Sequence, residues 1–270
     1  MPGFRYFLAI QTDLPEHYGD ERSFIDTLNA LKQAGFDGVE LNIRDPRSED
    51  PIRLGEFLAG FGLTFSMYAT GLAARSQGLS LATTEEPRRK KAVQWTIEAM
   101  NFTAAIGGGV IAGFLKGTTG EHSQANRQQL QLSLAELAPE ALRLKTPLLV
   151  EAINRFESPL GHSLSEVRDL IGEESNHFLQ ILPDTWHMSI EEDYIEAALV
   201  RHKDRFSSVH LSDNNRFFPG YGRLNFARII SVLESAGYQG KLAIEGNVKT
   251  TFIEDARKSA EFLRAFLSTA

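Results

Sequence analysis

The sequence predicts an α/β chain of 270 residues folded as a single (β/α)8 barrel domain over residues 1–270. Three observations predict it. Eight short apolar runs alternate with longer stretches of helical periodicity, the pattern of parallel strands covered by helices on both faces. No Pro/Ser-rich linker or long charge run divides the chain. Finally, Glu151, Asp184, His210 and Glu245 stand at or near the ends of four successive runs, 33, 26 and 35 residues apart. Those gaps match the roughly 25–40 residues of one strand–helix repeat in such a barrel.

In chain order the candidate strands are 4–11, 37–42, 63–69, 109–114, 147–153, 178–184, 206–212 and 241–247. Between them apolar residues recur at helical spacing, as in Phe24, Leu28, Leu31 and Ala34. Leu130, Leu134, Leu137 and Leu142 do the same, as do Ile229, Ile230 and Leu233. Gly35 and Gly237 fall just past helical stretches, where a left-handed terminating residue belongs. An open doubly wound sheet is the competing topology, but it usually carries a Gly-rich phosphate turn after its first strand. Here that segment reads IQTDLPEHYG, and Gly107-Gly108-Gly109 precedes a strand, as a tight loop does.

With 42% hydrophobic and 23% charged residues the chain can build a sizeable core. A net charge of −7 argues against a nucleic-acid surface, which needs clustered cations. The basic run Arg88-Arg89-Lys90-Lys91 follows Glu85-Glu86-Pro87 and reads as the solvated face of a helix start. Cysteine is absent, so any metal is held by oxygen and nitrogen, and the composition fits a reducing cytoplasm. The N-terminal stretch MPGFRYFLAIQTD is too short and too β-like for a signal peptide, and no run approaches the ~18 apolar residues of a membrane span. The expectation is a soluble cytoplasmic protein with neither membrane nor nucleic acid as partner.

Side chains at the C-terminal ends of barrel strands converge on one point. A charge on a buried strand has no water and must find a partner. One strand-end acid is commonly a helix cap or an ion-pair member; four at repeat pitch point to a shared divalent ion. Three carboxylates and one imidazole suit Mn²⁺, Mg²⁺ or Co²⁺, whereas structural zinc more often takes cysteine. Just downstream lie Glu157, His187 and Arg216, the last followed by the turn Pro219-Gly220-Tyr221-Gly222. They fall on strand-to-helix loops, where function concentrates, and together suit an oxygen-rich substrate. Glu40, in FDGVELN with Asp37, reads as a structural salt bridge at the barrel mouth, outside the catalytic set.

These segments resemble the ketose 3-epimerases, the D-tagatose and D-psicose (allulose) 3-epimerase group of the xylose-isomerase-like TIM barrel superfamily of sugar phosphate isomerases and epimerases. The motifs are E-x-x-N-R-F-E at 151–157, D-T-x-H-M at 184–188, H-x-x-x-N-x-R-x-x-P-G-x-G at 210–222 and the strand-end Glu245. GFDGVEL at 35–41 and ATGLAARSQGLS at 69–80 look like the group's second strand and third loop. The resemblance implies a metal held by Glu151, Asp184, His210 and Glu245. It also implies catalysis by Glu151 and Glu245 through a cis-enediolate, with Glu157, His187 and Arg216 on the O1–O3 end of the sugar, and a homodimer or homotetramer. Three departures bear on the substrate: IEGN replaces an expected MEP, Asp213 an expected Glu, and IQTDLPEHY lacks the aromatic pair of the free-ketose enzymes.

Competing readings stay open. A sugar-phosphate or small keto-acid isomerase of the same superfamily, such as a hydroxypyruvate isomerase-like enzyme, would use Lys116, Arg75 or Arg216 on an anion. A phosphodiesterase of the AP endonuclease kind needs a His-rich multi-metal site, and of seven His only His187 and His210 lie in the ligand-bearing motifs. A non-catalytic sugar-binding barrel has little need of two carboxylates flanking its ligand.

Overall fold

Short runs of four to six residues, mostly apolar, form eight parallel strands. In the computed structural model, which describes residues 6–172 and 177–267, β1 (Leu8–Asp13), β2 (Gly38–Asn42), β3 (Thr64–Ala69) and β4 (Gly109–Ala112) are followed by β5 (Leu148–Glu151), β6 (Leu179–Leu182), β7 (Ser208–Leu211) and β8 (Lys241–Ile244). Their order is β6-β5-β4-β3-β2-β1-β8-β7, with β1 bonded to both β2 and β8. The ring is nearly closed. Between β6 and β7 the regular ladder gives way to a single parallel bridge, Asp184 to His210, where the His210 N–H reaches the Pro183 carbonyl at 2.8 Å. Thr185 Oγ1 reinforces that joint by donating to the Ser212 carbonyl and accepting from its N–H.

The helices are α1 (Arg22–Ala34), α2 (Pro51–Gly60), α3 (Gly71–Gln77), α4 (Glu86–Ile106) and α5 (Gln124–Leu144). They continue with α6 (Leu164–Ile171), α7 (Thr185–Glu191), α8 (Ile195–Arg201), α9 (Phe226–Ser235) and α10 (Phe252–Leu267). Gly35 and Gly237 take positive φ, as their positions require. None of the described helices is long and apolar enough to cross a membrane.

Strand alternation sorts the core into two parts. Residues such as Ile10, Val39, Tyr68 and Val150 join Phe24, Leu28 and Leu31 in the large layer between strands and helices. Met67, Ile111, Leu149 and Leu182, one each from β3 to β6, form a separate apolar cluster in the lumen. Strands β1, β2, β7 and β8 carry polar groups on the same lumen side, among them Gln11, Glu40, His210 and Lys241, with Glu40 in register with Met67.

Three expectations need correction. Leu142 is exposed, because the inner stripe of α5 runs Leu130, Leu134, Leu137 and Ala141. Arg89 is buried: its guanidinium bonds Glu86, Glu136 and Ser133, clamping α4 to α5, while Arg88 stays exposed. The first strand begins at Leu8 and runs to Asp13, and residues 4 and 5 of the expected strand lie outside the described residues.

Candidate metal centre and active-site cleft

The ends of β5 to β8 bring Glu151, Asp184, His210 and Glu245 together. One donor atom from each lies within 4.8 Å of the other three. His210 Nδ1 sits in the middle, 2.9 Å from Glu245 Oε2, 3.6 Å from Glu151 Oε1 and 3.9 Å from Asp184 Oδ2. Asp184 is held by its loop as the N-cap of α7: Oδ1 accepts the Trp186 and His187 N–H groups, which turns Oδ2 toward the cluster and Arg216. Glu151 Oε1 is buried without a hydrogen-bond partner. Opposite it, a Cβ at Gly113 would come within 2.5 Å of Glu151 Oε2, so glycine leaves that carboxylate its space.

Glu40 does not sit at the barrel mouth. It lies fully buried in the lumen, beside a register shift in β2, with Oε2 2.9 Å from His210 Nε2. That contact fixes the ring and aims Nδ1 at the other three donors, a carboxylate–histidine arrangement typical of metal-ligating imidazoles. The sequence held little sign of it, since the two residues are 170 positions apart.

Electrostatics follow from this crowding. Burial alone lowers an imidazole's pKa, but the carboxylates of Glu40, Glu245 and Glu151 hold His210 protonated well above its usual range. Burial likewise raises a carboxyl, yet Arg216 and His210 hold Glu245 well below the usual carboxylate range. Arg216 Nη1 lies 2.7 Å from Asp184 Oδ2 and Nη2 2.9 Å from Glu245 Oε2, with the guanidinium 4.6 Å from the centre of the Trp186 ring. Its backbone has φ +63°, a left-handed conformation that costs a non-glycine residue about 1–3 kcal/mol. The conformation is held from both sides: the Arg216 N–H reaches the Asp213 carbonyl, and the Asn247 N–H reaches the Arg216 carbonyl at 2.6 Å.

Two of the sequence departures have structural counterparts here. Asp213 is buried and its carboxylate accepts N–H groups from Asn214, Gly220, Gly222 and Leu224, which folds the loop carrying Arg216. Gly246, in IEGN, lets that loop approach, since a Cβ there would come within 2.7 Å of the Arg216 carbonyl oxygen.

His187 is buried, and its Nδ1 accepts the Asn154 backbone N–H at 3.2 Å, which leaves Nε2 to carry the proton, 3.9 Å from Glu151 Oε1. Asn154 stood in the 151–157 motif without an assigned role. Glu157 is exposed at the rim. Lys116 points away from the cleft: it is fully buried, its Nζ donates to the Glu151 carbonyl at 2.6 Å, and burial pushes its pKa down to about 7. The cleft over the cluster has a volume of about 430 Å³ and is lined by Gln11, Asn42, Glu151, Glu157, Arg216 and Glu245 among others.

The family model described as xylose isomerase-like TIM barrel matches residues 28–266. The 3-dehydro-D-guloside 4-epimerase of Escherichia coli (strain K12) is 33% identical over 144 residues, 53% of this chain, and the match spans only 54% of that relative's length. The D-psicose 3-epimerase of Enterocloster bolteae is 28% identical over 253 residues, covering 90% of this chain and 82% of the relative. The solved structure of a D-allulose 3-epimerase from Methylomonas sp. in complex with D-allulose superposes with a TM-score of 0.83 over 98% of both chains at 21% identity, a likeness of fold.

Proposed function

The chain belongs to the xylose isomerase-like TIM barrel family, and from that premise we propose that it is an isomerase that epimerises a sugar at the carbon beside its ketone, C3 of a ketose. The observation carrying this reading is the placement of two carboxylates, Glu151 and Glu245, from strands separated by two others, within 3.6 and 2.9 Å of one imidazole nitrogen. The D-psicose 3-epimerase similarity over most of the chain supports it.

The donor set fits a divalent ion: three carboxylates, one imidazole oriented by Glu40, and a buried Glu151 oxygen lacking a partner. Glu151, Asp184, His210 and Glu245 would hold it, with Mn²⁺ favoured and Mg²⁺ or Co²⁺ acceptable to the same donors. When bound, the ion stabilises negative charge on the ketone oxygen and its neighbouring hydroxyl. Glu245, held ionised, takes the C3 proton from one face and Glu151 supplies one to the other face of the developing cis-enediolate, with the roles exchanged in the reverse direction. The His187 Nε2–H and the Arg216 guanidinium donate to the sugar oxygens, and Glu157 accepts from a hydroxyl at the rim.

A phosphorylated substrate is poorly served, because Lys116 is spent on a backbone carbonyl and the cation that lines the cleft along with Arg216, Arg75, shares its wall with the Glu157 carboxylate. A second reading keeps the same proton transfer but places it on a sugar ketone that carries a glycosidic substituent. The 33% identity to an epimerase named for a guloside favours it. We further propose a cytoplasmic homo-oligomer, dimer or tetramer. Light scattering measures the state.

The test is a screen of ketoses in D2O with Mn²⁺, read by NMR. Deuterium at C3 with inversion is expected. Deuterium at C1 would instead make the enzyme an aldose–ketose isomerase, and neither inversion nor deuterium in any ketose would overturn the reading.

A further inference from the structure

Beside the metal-facing lobe the cleft has a second lobe of about 310 Å³, and the two share Arg75, Phe114 and Glu157 as a common wall. Small residues hollow it out: Ala74 on one side, Gly117, Thr118 and Thr119 on the other. Two residues of that wall form a stacked pair, the Arg75 guanidinium carbon lying 3.9 Å from the centre of the Phe114 ring. Arg75 is exposed and pairs with no carboxylate among the described residues, in a molecule whose other site cation, Arg216, is doubly paired. Stacking occupies the guanidinium's face and leaves its N–H edge for a ligand.

We propose that this second lobe binds the part of the substrate beyond the reacting sugar, so that the preferred substrate is a sugar ketone bearing a glycosidic residue rather than a bare ketose. This rests on the proton-transfer reading above and specifies its substrate class. Three features carry it. The lobe continues the catalytic one, so a molecule held at Glu151 and Glu245 enters it by extending past Glu157. Its polar inventory, one guanidinium edge, one carboxylate and two threonine hydroxyls, offers both donors and acceptors, as sugar hydroxyls require; a phosphate would want several cations and would meet Glu157. Phe114 holds the Arg75 guanidinium in place at 3.9 Å, so its N–H edge is fixed at the junction of the two lobes, where it can meet a hydroxyl of the second sugar.

The experiment compares free ketoses (D-fructose, D-allulose, D-tagatose) with ketose disaccharides (isomaltulose, lactulose) and a 3-keto-glucoside. Deuterium incorporation and kcat/KM are measured with Mn²⁺-loaded enzyme. Wild type should favour its best extended substrate over its best free ketose by at least about tenfold. Thr119→Trp, an exposed substitution that fills the lobe, and Arg75→Ala, which removes that N–H edge, should each cut that preference severalfold, mainly through KM of the extended substrate. Exchange confined to free ketoses, or a preference unmoved in both variants, would overturn the inference and leave the proton-transfer reading standing. Exchange into neither class would overturn both.

Discussion

The two halves of the barrel lumen are built on opposite principles. On β3 to β6 the interior is Met67, Ile111, Leu149 and Leu182, four side chains that fill volume and ask for nothing. On β1, β2, β7 and β8 it is Gln11, Glu40, His210 and Lys241, every one with a polar partner: Asn42, His210, Glu40 and the Ser66 carbonyl respectively. Buried polar groups are costly unless paired, so the second half persists only as a network, and a network aims side chains as well as paying for them. The apolar half fixes where the strand ends are; the polar half fixes which way they point.

The sharpest way to break that distinction lies where the halves meet, at the mouth. Glu151 ends the apolar half and Glu245 the polar one, and Gln at either should lower net epimerisation by about 10²–10⁴. If they work from opposite faces, one variant will still exchange the proton of one epimer in D2O under metal saturation. Equal loss of exchange for both epimers in both variants would mean that a single base serves.

Within the lumen, Leu149→Ala should cost about 2–5 kcal/mol of stability by leaving a cavity, seen as a lower urea midpoint, with Mn²⁺ affinity little changed. Glu40→Gln should do the reverse, weakening Mn²⁺ binding by about 10–100-fold in a calorimetric titration while shifting the midpoint less. The same ranking of both variants in both assays would erase the division of labour. The four strand-end residues were legible because their spacing follows the repeat and their type departs from the apolar runs around them. Glu40 departs from its run in the same way, yet its meaning depends on a bulged register and on a partner at the far end of the chain, neither of which leaves a local mark. Arg89 went wrong for a related reason: a cation in a basic run reads as solvated until the facing helix is known to bring Glu136.

The smallest effect concerns the loops over the polar half. Asp255 accepts from the Lys249 and Thr250 N–H groups, Thr250 Oγ1 and Tyr221 OH, tying the β8–α10 loop to the β7–α9 loop. Burial would raise its carboxyl, but hydrogen bonds led by Thr250 and Tyr221 hold it at about 2, against an ordinary 3.8. The folded pKa is depressed, so the stability this group supplies is full above the ordinary value and drains away as pH falls toward 2. At neutral pH it amounts to about 2 kcal/mol. Asp255→Asn should therefore lower the urea midpoint at pH 7 and flatten its decline between pH 4 and 2; an equally steep decline in the variant would assign the acid sensitivity elsewhere.

The single bridge between Asp184 and His210 has a consequence for how this barrel holds its shape. Seven of its eight joints are zipped by parallel ladders, one of them bulged at Glu40; the eighth is fastened chiefly near the mouth, by two residues that also face the donor cluster. A ligand gripping both side chains acts as a clasp across the ring's one open stitch. Binding there would then add to the stability of the ring at its weakest joint, since whatever binds the folded state alone stabilises it.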